Sequence, residues 1–170
     1  MSKYKRFLAV VFVFLCCVCS AKAQNKPPST PEQKKQAVEM VTFLESNPFA
    51  KEAKDYRRTL FLFLVEAPDI TIKLCTNVLG ESKQLKGDYE TEVVNHLMFS
   101  QAKFIIENPD KAQDDAAVYV AAVEGVLRTW QAVKTAKPKA KFALMDELVE
   151  KQKAGTLAEH VQNNMKGCKN

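Results

Sequence analysis

Few of the residue patterns that mark chemistry occur in this chain of 170 residues. There are two histidines, His96 and His160, and neither sits in an HExxH pair; beyond the first 23 residues there is also no CxxC, so both common zinc signatures are missing. The five glycines lie too far apart to form a phosphate-cradling loop, and no GxSxG marks a nucleophile elbow. No apolar run approaches the roughly 20 residues that a membrane-spanning helix needs. What is left is a chain with ample apolar content, many helix-forming residues and little that identifies a reaction.

The N-terminus has the pattern of an export signal. Lys3, Lys5 and Arg6 precede an apolar stretch from Phe7 to Val18, and Ala21-Lys22-Ala23 supplies the small residues of a cleavage site, expected after Ala23. The signal holds four of the 25 Lys and Arg and none of the 20 Asp and Glu, so 21 bases face 20 acids in the remainder, a net charge of +1. A near-neutral chain lacks the broad basic footprint of a nucleic-acid binder, and no nucleic-acid partner is expected. Stable membrane insertion after cleavage is not expected either. The compartment these features predict is periplasmic or secreted, most simply in a bacterium.

Two cysteines, Cys75 and Cys168, remain beyond the signal, and in an oxidising compartment they are expected to pair as a structural disulfide. The chain after Ala23 is long enough for one core without a metal or dense disulfides. Residues 24–29 read as a flexible lead-in and 30–170 as a single helical domain.

Prolines and glycines fall at the edges of apolar patterns with helical spacing, which is helix punctuation. Thr30-Pro31-Glu32-Gln33 combines an N-cap, a proline at the first helical position and a capping-box glutamine. A second helix is predicted from Phe49 to Glu66, ending before Pro68; its run Leu60 to Val65 is apolar on every side, as in a helix enclosed by neighbours, and predicts the centre of the bundle. Ile70 to Leu79, capped by Asp69 and closed by Gly80, reads as a short helix, although Ile70, Ile72 and Leu74 alternate as a strand would. Further helices are predicted from Tyr89 to Glu107, from Asp110 to Ala136, after Pro138 and, behind a Thr156–Glu159 capping box, to Lys166. The fold class is therefore all-α, an irregular bundle of six to seven helices.

Candidate sites are sparse. Glu92 and His96 share a helical face at i and i+4, a spacing that suits two metal ligands, with Glu159 and His160 as further donors; it suits a surface pair equally well. Phe61, Phe63, Tyr119 and Trp130 could wall an apolar ligand slot beside the small residues Ala117, Ala121, Ala122 and Gly125, which otherwise promote tight helix packing. Lys134, Lys137, Lys139 and Lys141 form a basic turn. With no catalytic set and no cofactor expected, the predicted role is non-catalytic binding, to an unknown protein or a small apolar ligand. A hydrolase or metal-dependent enzyme built on His96 and Glu92, and an envelope stress or structural protein that opens in acid, are the alternatives.

Overall fold

The computed structural model describes residues 26–168, so the expected export signal lies outside the described residues. The helices are α1 (Pro31–Ser46), α2 (Ala53–Glu66), α3 (Glu90–Val94), α4 (His96–Glu107), α5 (Asp115–Ala136), α6 (Ala143–Lys153) and α7 (Leu157–Met165), with short 3-10 turns between some of them. No strand is present among the described residues, and the helices form a single compact region. The expected all-α bundle is the observed fold class.

Local signals set several boundaries as expected. At the start of α1, the Thr30 hydroxyl accepts from the Gln33 N–H at 3.2 Å and the Gln33 side chain accepts from the Thr30 N–H at 2.8 Å, which satisfies two otherwise orphaned donors. Elsewhere the chain departs from the sequence pattern. Residues 70–75 form no helix; they are irregular, extended at Cys75, and lead into a 3-10 turn, Thr76–Val78. Asp69 does not cap this segment, because its carboxylate accepts from the Ser29 N–H at 2.8 Å and pairs with Lys34 at 2.7 Å. In place of a helical or strand ladder, buried Gln101 clamps this segment, accepting from the Lys73 N–H and donating to the Lys73 carbonyl.

Three more boundaries move. The predicted Tyr89–Glu107 helix is interrupted at Asn95, whose carbonyl accepts from both Met98 and Phe99, and it begins at Glu90, after Tyr89 in the left-handed conformation (φ 58°). α5 starts later than Asp110, because Asp114 is the cap and its carboxylate accepts from the Ala117 N–H at 3.1 Å. The predicted box at Thr156 does not form; the Thr156 hydroxyl donates back to the Lys151 carbonyl.

The centre of the bundle is α5, not the helix carrying Leu60 to Val65. Val118, Ala122, Val126, Leu127, Trp130 and Val133 of α5 are buried, most of them completely. Its small residues let neighbours approach: a Cβ on Gly125 would overlap the Ser100 side chain of α4. Trp130 donates to Asp146 at 2.9 Å and meets Phe142 edge-on, which couples α5 to α6. α2 lies at the periphery, packed mainly against α1, and only Leu60 of its apolar run is fully buried.

Cys75 and Cys168 are joined as a disulfide, with Cα atoms 5.6 Å apart and a separation of 93 positions in sequence. Closing so long a loop restricts the unfolded chain, and Cys75→Ser with Cys168→Ser is expected to lower unfolding free energy by about 2–4 kcal/mol. Urea titrations of the oxidised protein and the double variant measure this, and coincident midpoints would contradict it. Among the described residues, no helix is long and apolar enough to cross a membrane.

Candidate functional site

Two features separate this molecule from a routine helical bundle: a charge cluster inside it and an apolar strip outside it. The cluster begins with Glu45 near the end of α1. Its position follows Ala37, Val41 and Leu44 on the face of α1 that meets the core, so the carboxylate is carried inward and retains only 4% exposure. A buried carboxylate must be paired and hydrogen-bonded to remain charged. Arg128 of α5 meets it with two bonds, Nε to Oε2 at 2.8 Å and an Nη to Oε1 at 2.9 Å. The Ser100 hydroxyl donates to Oε1 at 2.9 Å, and Lys103 Nζ stands 3.5 Å from Oε2. Burial pushes the Glu45 carboxyl up, but the Arg128 bonds and charge, with Lys103 and Ser100, outweigh it and hold its pKa below the ordinary value. Gly125 makes the arrangement possible, since a Cβ there would lie 2.8 Å from Glu45 Oε1 as well as overlapping Ser100.

His96 sits beside this cluster and is fully buried. Neither ring nitrogen has a hydrogen-bond partner among the described residues, and the ring meets Phe99 edge-on at 5.7 Å. The charges that act on it come from four helices: Glu45 of α1, Arg57 of α2, Lys103 of α4 and Arg128 of α5. Burial lowers its pKa to about 4, against the pull of Glu45 and with the help of the three cations.

The predicted site residues are not brought together. Glu92 is half-buried on α3, across the interruption at Asn95, and no hydrogen bond or ion pair joins it to His96. His160 is engaged with the Leu79 carbonyl at 3.1 Å. Among the described residues, no group of three or more His, Cys, Asp or Glu is placed to hold a metal ion. Nor do the aromatic candidates form one slot. Trp130 and Tyr119 are core residues, the Tyr119 hydroxyl donating to the Lys73 carbonyl at 2.9 Å; Phe63 is half-buried and Phe61 is 52% exposed. In the basic turn, Lys134 donates to the Ala140 carbonyl and Lys137 lies over the Phe49 ring.

An open groove of about 600 Å³ runs between residues 45–50 and the last turns of α5, past Asn47, Phe49, Gln131 and Thr135. Arg128 lines it, but its guanidinium is committed to Glu45, which removes the obvious anchor for an anionic ligand.

The outer strip lies on α2. Leu62 is 50% exposed and Val65 66%, and with Phe61 they follow one another at i, i+1 and i+4 on a regular helix. This strip was hidden in the sequence, because six consecutive apolar residues define no face. The charge cluster did leave a signal, an acid at a core-facing position of α1, but that acid belongs to no catalytic motif. Comparison with known proteins finds no family model, curated protein or solved structure that matches the chain.

Proposed function

We propose that this is an exported, non-catalytic binding protein of the periplasm or extracellular space, and that a protein partner docks on the outer face of α2. The observation that carries this reading is the display of Phe61, Leu62 and Val65, each at least half exposed, on a helix whose opposite side is anchored by Leu60. Side chains of this kind, grouped on a surface, mark interaction sites more often than chance exposure does. The disulfide supports an oxidising compartment. Full burial of His96, with the Ser100 hydroxyl turned to Glu45, supports binding over a hydrolase built on that histidine. The scattering of Phe61, Phe63, Tyr119 and Trp130 favours a protein partner over a small apolar ligand.

A photoreactive benzophenone side chain in place of Phe61, in protein expressed with its own export signal, tests the proposal. Irradiation is expected to give a discrete adduct that is lost when Leu62 and Val65 are both changed to lysine, while circular dichroism shows the variant still folded. A Phe61 probe that yields no adduct, or an adduct indifferent to those lysines, would contradict it.

A further inference from the structure

We propose that the partner is a second copy of this chain, with the two α2 helices packed antiparallel about a two-fold axis through Leu62. This rests on the reading of the α2 outer face as a docking surface. Arg58, Leu62 and Glu66 stand at i, i+4 and i+8, one stripe along a helix, and all three are exposed. Arg58 and Glu66, the two charges that bracket the strip, take part in no salt bridge among the described residues.

A two-fold axis at the middle residue sets Arg58 opposite the partner's Glu66, and Glu66 opposite the partner's Arg58. Leu62 then meets its own equivalent, with Phe61 and Val65 closing over the flank. A parallel pairing places Arg58 against Arg58 and Glu66 against Glu66, which repel. Glu66 lies at the C-terminal end of α2, where the carbonyl dipoles disfavour an anion and no basic residue occupies the last turn, and the antiparallel pairing supplies the missing cation from the partner's Arg58. The surface is self-complementary, so the contact is isologous and closes at two copies rather than extending into a fibre. Its apolar part is small beside that of a permanent interface, so the dimer is a weak one that forms as concentration rises.

Sedimentation velocity of the exported, oxidised protein over a range of concentrations tests this. The wild type is expected to shift from one chain mass toward two. Arg58→Glu and Glu66→Arg are each expected to weaken association about tenfold or more, since each dimer then carries two like-charge contacts. Combining the two substitutions restores opposite charges across the axis and is expected to restore the dimer. Nonspecific apolar association would show no such rescue. A wild type that stays monomeric at every concentration, or a dimer unaffected by the single charge reversals, overturns the proposal. If the Phe61 probe then links to a protein of different mass, the docking reading survives and only the self-pairing fails.

Discussion

Arg128→Met is expected to destabilise the fold by about 2–3 kcal/mol, because it leaves the Glu45 carboxylate buried without its main partner, although Arg128 itself is half exposed and Lys103 and Ser100 remain. A loss of that size is a large part of a typical domain's stability. The diagnostic is the direction of pH dependence. In the wild type the Glu45 pKa is depressed, so its contribution is present above the ordinary carboxylate value of 4.5 and is lost as pH falls through the folded value. Without Arg128, burial is opposed only by Lys103 and Ser100, the pKa moves upward, and acid in the carboxylate range becomes less harmful to the variant than to the wild type. Arg128→Lys keeps the charge without the two-pronged contact, and it provides a folded comparison if the methionine variant does not fold. Glu45→Met combined with Arg128→Met removes both charges and is expected to recover most of the stability, since an apolar pair of similar volume can replace a buried ion pair. Urea unfolding across the carboxylate range measures all four proteins; a single variant as stable as the wild type would show that the pair does not hold α1 to α5.

His96→Leu is expected to act in the opposite sense. The histidine is buried with both ring nitrogens unpartnered, so an apolar side chain of similar size removes a desolvation cost without losing a bond. Its folded pKa of about 4 lies below the 6.5 of the unfolded chain. Above 6.5 both states are neutral and the group has no effect on stability. As pH falls from 6.5 to about 4 the unfolded state takes up the proton first, and stability drops by about 3 kcal/mol before levelling off. His96→Leu should flatten this window and leave the lower-pH loss from Glu45 in place. If wild type and variant lose stability in parallel over that interval, His96 is not the group responsible. An envelope protein that loosens in acid, the second functional reading, would have to show this loss.

Both predictions depend on residues whose importance was only partly legible in the sequence. Thr30-Pro31-Glu32-Gln33 and the Cys75/Cys168 pair could be read directly, because capping chemistry and disulfide pairing are governed by residue type. The helix expected at residues 70–79 failed because Asp69 was recruited by Ser29 and Lys34, partners 40 and 35 positions away that no local window contains. The placement of Leu60 to Val65 failed for a different reason. An all-apolar run states that a helix is able to be enclosed, but which helix becomes central depends on how closely its neighbours pack. α5 takes the centre through Ala122 and Gly125, leaving Phe61, Leu62 and Val65 at the surface.

The claim that recognition belongs to the outer face of α2, and not to the buried cluster, is tested most directly by a concentration series of amide NMR spectra. Progressive shifts are expected for residues 54–66, centred on Leu62, while the amides of Glu45, His96, Ser100 and Arg128 hold their positions. Shifts centred on the cluster, or spectra that do not change with concentration, would contradict the self-recognition assigned to that face.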